Sequence, residues 1–406
     1  MPPRCPHFGD CGGCSLQHIA YPEQLRLKTA LVDRLVRAAV PNAPAALPML
    51  PSTALDDPWG YRHKVHFVFD QGAMGHFARG SRRVVPVREC PVHDPRGNDV
   101  AFRFRDAFAR PPSPRPRRTR ASADVVQGLA VRVGMNTGET MATLVVTRDS
   151  DARVRAASRQ AVAAAQPTSF HVNVHPTRDG FIFGRATRRI TGPERMRETV
   201  AGTSFLISPT AFFQTNVRAA DILVRLVLDA CGGPDKARPT GRHILDLYAG
   251  AGLFALPLAR AGHRVTAVEE NREAVADGEA SRRLNRIAAD HCEFIAAPVE
   301  KWRPTRGRPA GNEFDVVILD PPREGCTRAV IEQIFGRLRP RRAVYISCNP
   351  EALARDLALV ATHGYAVRSL QPVDMFPHTT HVETVVVITS STSSTSSTLS
   401  TLSTSR

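Results

Sequence analysis

The sequence predicts an α/β protein: a doubly wound, Rossmann-like and largely parallel sheet in the C-terminal half, preceded by a β-rich region. Three observations carry this. Short apolar runs at residues 243–248, 265–269, 314–319 and 343–347 alternate with helical stretches, the pattern of βαβ units. A glycine-bearing turn, Ala249-Gly250-Ala251-Gly252, directly follows the first run, where such folds bind ligands. From about residue 50 to 205, strand-like alternation dominates instead. At 406 residues the chain has room for two domains and a third small one.

The elements follow in order. Residues 1–18 hold Cys5, Cys11 and Cys14 and read as a ligand-bearing loop. Leu25, Leu27, Leu31, Leu35 and Val36 recur at near-helical spacing, so a helix is expected over residues 21–40, stopped by Pro41. Residues 19–49 form a segment expected to pack on the C-terminal domain. In residues 50–205, the run 64–69 alternates like a strand, and Val84-Val85 leads toward Cys90. Runs 129–133 and 141–147 flank Gly134-Met-Asn-Thr-Gly138, a hairpin signal. Residues 110–120, rich in Pro and Arg, read as an extended basic segment that is either a solvated loop or a nucleic-acid contact. Residues 206–388 are the α/β domain, closed by a strand over 382–388. Residues 389–406 are Ser and Thr apart from Leu399, Leu402 and Arg406, a composition that cannot bury a core and is expected to be disordered.

Charge points to a partner. Lys+Arg number 54 against 38 Asp+Glu, a net charge of +16. Codon bias explains arginine over lysine but not the shortage of carboxylates, so a polyanion, by default nucleic acid, is expected. No apolar run approaches the ~20 residues that span a bilayer. The N-terminus lacks the apolar core of a signal peptide, so a soluble cytoplasmic protein is expected. Eight cysteines are too few for a disulfide scaffold, which leaves clustered ones as metal ligands or catalysts.

Several constellations carry chemistry. Gly250 and Gly252 let a ligand approach the backbone, and Glu269, about 20 residues past the loop, suits the two hydroxyls of a ribose. The loop lacks the Lys and Ser/Thr of a triphosphate site, and its glycine spacing departs from that of NAD-binding folds. Together these features look like a class I S-adenosylmethionine methyltransferase. Asp320-Pro-Pro-Arg323 ends the third strand. Enzymes that methylate exocyclic amines want an aromatic residue after Pro-Pro, and Arg323 stands there instead. Ser347-Cys348-Asn349-Pro350 ends the fourth strand and places a candidate nucleophile on the same rim. Cys231, Cys292 and Cys326 stand singly and read as small buried residues. Carbon 5 of uracil becomes nucleophilic only after a thiolate adds at carbon 6, and a base must then remove the carbon-5 proton. Glu383, in His378-Thr-Thr-His-Val-Glu383-Thr, can serve as that base.

Asp-Pro-Pro-Arg, Ser-Cys-Asn-Pro and His-Val-Glu-Thr in this order resemble the RNA uracil-5-methyltransferase family, over residues 5–388. The resemblance implies Cys348 as nucleophile, Glu383 as base and Asp320 as an active-site carboxylate. It implies donor contacts at Gln214, within Phe212-Phe213-Gln214-Thr215-Asn216, at Tyr248 and Glu269, and around Gly250 and Gly252. Leu253 and Pro298 depart from the Asn that some members carry. By spacing alone, Cys5, Cys11, Cys14 and Cys90 fit either tetrahedral zinc or an iron–sulfur cluster. Three clustered cysteines and a remote Cys-Pro favour the cluster. The bacterial 23S rRNA branch, which this chain resembles most, carries a [4Fe-4S] cluster on these positions. That branch often has an extra N-terminal β-barrel, which this chain is expected to lack, so RNA grip is expected from the central domain, the cysteine region and basic loops. The competing readings are the same chemistry on the tRNA T-loop uridine, a non-catalytic iron–sulfur RNA-binding protein, and a small-molecule methyltransferase.

Overall fold

The computed structural model describes residues 2–70, 72–108, 125–177, 182–232, 241–303 and 314–391. The basic segment at residues 110–120 and the tail beyond residue 391 lie outside the described residues.

The C-terminal sheet has eight strands. Cys292–Ala296, Arg264–Glu269, His243–Leu247, Val316–Leu319 and Arg342–Ser347 lie side by side and parallel. Chain order reverses between His243–Leu247 and Val316–Leu319, so a crevice opens beyond their carboxyl ends. Glu383–Ser390 then adds antiparallel, followed by Tyr365–Asp374, and Leu50–Pro51 closes the edge. The strand at Tyr365–Asp374 was not visible in the sequence. Arg368, Gln371 and Pro372 break its apolar alternation, and a register shift between Val367 and Ser369 accommodates the irregularity. The last strand runs to Ser390, two residues past the expected end.

Both faces of this sheet are buried, as parallel sheets require. Neighbouring residues divide between them. Ile244, Ile318, Ile346 and Val385 face a core with helix Val217–Cys231. Leu245, Val317, Tyr345 and Val386 face the opposite core with Val32, Val36, Leu353 and Leu357. Val32 and Val36 belong to helix Tyr21–Ala39, so the N-terminal helix packs on the C-terminal sheet. A buried Lys28–Asp374 ion pair at 2.7 Å fastens it there. The hairpin Met196–Val200/Thr203–Ile207 also belongs to the first of these cores, through Met196, Val200, Phe205 and Ile207. That core therefore begins upstream of residue 206, and Leu50–Pro51 joins the same sheet.

The central sheet has seven strands in the order Val84–Pro86, Ala73–Phe77, Lys64–Asp70, Val126–Val133, Thr140–Val146, Ser169–Val174, Ala186–Thr191. The expected hairpin at residues 134–138 connects two antiparallel strands. Thr140–Val146 and Ser169–Val174 pair in parallel, which needs a crossover, and helix Ala152–Ala165 supplies it. This helix and Pro95–Phe108 have 14 residues each, more helix than the β-rich reading expects. Val100, Ala101, Phe104, Val154 and Ala161 bury them against Leu129, Leu144 and Phe170.

Candidate active site

The rim over the strand-order reversal collects the predicted residues. Tyr248 has φ 63 and Gly250 has φ 55, so the chain turns sharply out of the strand. Gly250 needs its freedom for the turn, and a Cβ there would meet nothing within 4 Å. Gly252, φ +84, is packed: a Cβ would lie 2.6 Å from Phe294 Cζ. Glu269 closes the turn, since its Oε2 accepts from the Gly250 amide at 2.9 Å and its Oε1 from Asn271 at 2.8 Å. Tyr248 donates to Glu300 Oε1 at 3.2 Å.

Asp246, beneath this turn, was not singled out from the sequence. It is fully buried, and neither carboxylate oxygen completes a hydrogen bond among the described residues. Burial, reinforced by Asp320, holds its pKa well above the carboxylate range. A fully buried acid whose oxygens complete no hydrogen bond among the described residues fits a cationic ligand. The ammonium and sulfonium of S-adenosylmethionine supply positive charge, so the donor set suits that molecule.

Sheet register explains how the candidate catalytic groups meet. Ser347 pairs with Thr384 across antiparallel strands, which sets Cys348 and Glu383 at the same end. Leu247 pairs with Leu319, which sets Tyr248 beside Asp320. Asn349 caps helix Pro350–Thr362 by accepting from the Glu351 amide at 3.1 Å, and its Nδ2 donates to the Arg323 carbonyl at 3.0 Å. The Cys348 loop and the Asp-Pro-Pro-Arg loop are thereby tied together. Glu383 is buried, and burial together with the Asp320 charge drives its pKa well above the usual range. Burial raises Asp320 to about 7. Cys348 is half-buried and pushed up to about 11, by burial first and then by Glu383 and Asp320, with Arg323 opposing. The three groups therefore sense one another's charge. Arg323 Nη2 lies 3.1 Å from His381 Nδ1, a pairing with no signal in the sequence.

Gln214 sits half-buried in the loop before helix Val217–Cys231. Arg132 Nη2 donates to the Ala211 carbonyl at 2.9 Å, and the His63 amide donates to the Thr215 carbonyl at 2.7 Å. Asn216 Nδ2 donates to Ser52 Oγ at 2.8 Å and to the Met375 carbonyl at 2.9 Å. The central sheet and the last strands thus hold this loop from both sides.

Cys5, Cys11, Cys14 and Cys90 line one cavity of about 410 Å³. The Gly12 amide donates to the Phe77 carbonyl at 2.9 Å, which docks the N-terminal loop on the strand Ala73–Phe77. Burial and then neighbouring thiols push Cys90 up to about 12, and burial pushes Cys14 up to about 11. Four thiols lining one cavity fit a group that binds all four as thiolates. His76 and His93, which carry no motif in the sequence, share the cavity. The Ser15 and Leu16 amides both donate to the His378 carbonyl at 2.9 Å. His378, φ 65, takes the Gln24 side chain on its amide at 2.9 Å and stacks on Trp59 at 4.0 Å. One residue thus joins the cysteine loop to the segment that leads into Glu383.

A glycine turn at the strand-order reversal, a ribose-type carboxylate on the second strand and an orphaned buried acid define a class I S-adenosylmethionine-dependent methyltransferase. The comparisons with known proteins narrow the class. Residues 138–391 match the tRNA (uracil-5-)-methyltransferase model. An uncharacterized RNA methyltransferase of Thermosynechococcus vestitus is 36% identical over 396 residues, covering 96% of this chain and 84% of its own. One from Listeria monocytogenes is 31% identical over 391 residues, covering 95% and 83%. The solved Pyrococcus abyssi tRNA (uracil-54, C5)-methyltransferase, in complex with S-adenosyl-L-homocysteine, superposes with TM-score 0.73 at 25% identity, covering 94% of this chain and 86% of its own. The chain belongs to the tRNA (uracil-5-)-methyltransferase family and is an RNA uracil-5-methyltransferase. No helix among the described residues is long and apolar enough to cross a membrane.

Proposed function

We propose that the protein methylates carbon 5 of a specific uridine in 23S rRNA, in the cytoplasm, through a covalent Cys348–uracil adduct. The observation that carries the chemistry is the convergence of Cys348, Glu383 and Asp320, whose charges perturb one another on one rim. Cys348 adds to carbon 6, which makes carbon 5 the nucleophile. The bound donor supplies an electrophilic methyl group. Glu383 takes the proton from carbon 5, and the electron pair of that bond expels the Cys348 thiolate. Gln214, Tyr248, Glu269, Asp320 and the turn at Gly250 and Gly252 hold the donor. The target base must leave its stack to reach Cys348. Cys5, Cys11, Cys14 and Cys90 hold a [4Fe-4S] cluster with a structural role, ordering the loop that His378 links to the Glu383 segment.

The four-cysteine cavity supports the rRNA reading, because the resemblance associates it with the rRNA branch. The tRNA T-loop uridine is the second reading, favoured by the similarity to the solved Pyrococcus abyssi tRNA (uracil-54, C5)-methyltransferase. Mapping 5-methyluridine in rRNA and tRNA from a deletion strain separates them: loss from 23S rRNA alone is expected, and loss from tRNA alone overturns the assignment. Anaerobically purified protein should be brown with about four irons per chain. Colourless protein holding one zinc on these cysteines would replace the cluster.

A further inference from the structure

The cysteine cavity contains a second donor set. One ring nitrogen of His76, one of His93 and the Cys90 sulfur all lie within 4.8 Å of one another. His76 comes from the strand Ala73–Phe77, and Cys90 and His93 come from the loop before helix Pro95–Phe108. The two imidazoles meet edge to face, centroids 5.4 Å apart.

The hydrogen bonding around this trio resembles that around a metal. Asn98 Nδ2 donates to the Cys90 carbonyl at 3.0 Å, which fixes the orientation of the amide. Its Oδ1 therefore faces His93 Nδ1 at 3.2 Å and must accept. Nδ1 then carries the hydrogen, and the Nε2 lone pair of this buried ring is left to bind. Metal-bound histidines are held this way, with the second nitrogen donating to an oxygen that sets tautomer and angle. A single asparagine thus steadies two of the three donors.

We propose that His76, Cys90 and His93 form a mononuclear site for a divalent transition metal of the zinc class, mutually exclusive with a group bound by all four cysteines because both need the Cys90 sulfur. Two imidazoles and one thiolate suit zinc or cobalt and do not suit magnesium or calcium. Cys90 binds as the thiolate, so each metal taken up releases one proton. The site holds Cys90 and the Ala73–Phe77 strand together when the four-cysteine group is absent. It does not depend on which RNA is methylated.

Cobalt(II) is the probe, titrated into full-length protein purified aerobically with chelator and then freed of chelator. The expected result is one equivalent of tetrahedral cobalt with a thiolate charge-transfer band, displaced by zinc. His76→Gln and His93→Gln should each weaken binding at least tenfold. Asn98→Ala, which removes no ligand, should weaken it about 10- to 100-fold. Cys11→Ser should leave it unchanged, and protein reconstituted with iron and sulfide should take up no cobalt. Circular dichroism and Tm confirm that each variant is folded. Bands that survive both histidine variants but vanish in Cys11→Ser would place the metal on the thiols and overturn the proposal. Absence of cobalt bands in folded protein would overturn it equally.

Discussion

Cys348 should be a sluggish thiol in the free protein, and its reactivity measures the charge of its surroundings. Its pKa is pushed up to about 11. An ordinary cysteine titrates near 8.5, so at pH 8 about a quarter of it is thiolate, against about one part in a thousand for Cys348. The thiolate ratio is about 240-fold. A more basic thiolate is intrinsically more nucleophilic, by about tenfold over this span, because reactivity follows basicity with a slope of about 0.4–0.5. The net expectation is alkylation about 20-fold slower than for an ordinary exposed cysteine. Iodoacetamide labelling from pH 7 to 10, resolved peptide by peptide in a mass spectrometer, separates Cys348 from the other seven cysteines. Its rate should climb nearly tenfold per pH unit without levelling off. In Glu383→Gln a like charge is lost, so the Cys348 pKa should fall and the labelling rate at pH 9 should rise about two- to fourfold. The largest cause of the shift is burial, which the variant leaves in place. A plateau with an apparent pKa below about 8.5, or slower labelling in Glu383→Gln, would refute the reasoning. The first outcome would mean that Cys348 is already activated without substrate.

Other outcomes follow from the same geometry. RNA carrying 5-fluorouridine at the target should trap the wild-type protein covalently, and Cys348→Ala should abolish both trapping and turnover; full activity in that variant would falsify the nucleophile assignment. Glu383→Gln should form a methylated adduct with natural RNA but release it about 10²–10⁴-fold more slowly, as seen on denaturing gels. Gly252→Ala must place a Cβ 2.6 Å from Phe294 Cζ at φ +84, and should lose about 1–3 kcal/mol of stability in denaturant titrations along with donor affinity measured by calorimetry. His378 is buried and held down to about 4 by burial. Its folded pKa is depressed below the unfolded value of about 6.5, so the stability it contributes is present above 6.5 and is lost as pH falls toward 4, by about 1.4 kcal/mol per pH unit. His378→Gln lacks this term: the variant should be less stable at pH 7.5 and close the gap by about 3 kcal/mol at pH 4, read from unfolding curves at each pH.

The sequence by itself determined the parallel strands and the glycine turn, and it singled out Cys348 and Glu383 as the candidate reacting pair. These features are local: an apolar run bounded by a turn announces a buried strand, and Ser-Cys-Asn-Pro or Asp-Pro-Pro-Arg is read off without knowing what lies opposite. It also marked Cys5, Cys11, Cys14 and Cys90 as candidate ligands, and the fold gathers all four around one cavity. Only the tertiary structure decided what depends on pairing between distant segments. The strand Tyr365–Asp374 carries Arg368, Gln371 and Pro372 and becomes a strand because Glu383–Ser390 offers it a partner. Asp246 looks like an ordinary strand residue until folding buries it without a donor beneath the turn. His378 and Asn98 reveal their roles only through partners across the fold: the Ser15 and Leu16 amides for one, the Cys90 carbonyl and His93 for the other. The Cys348 environment is likewise a matter of register, since Ser347 pairing with Thr384 places a carboxylate beside the thiol and raises its pKa. Periodicity records which side of an element is buried, whereas charge–charge coupling and hydrogen bonding depend on distances that only the packed chain sets.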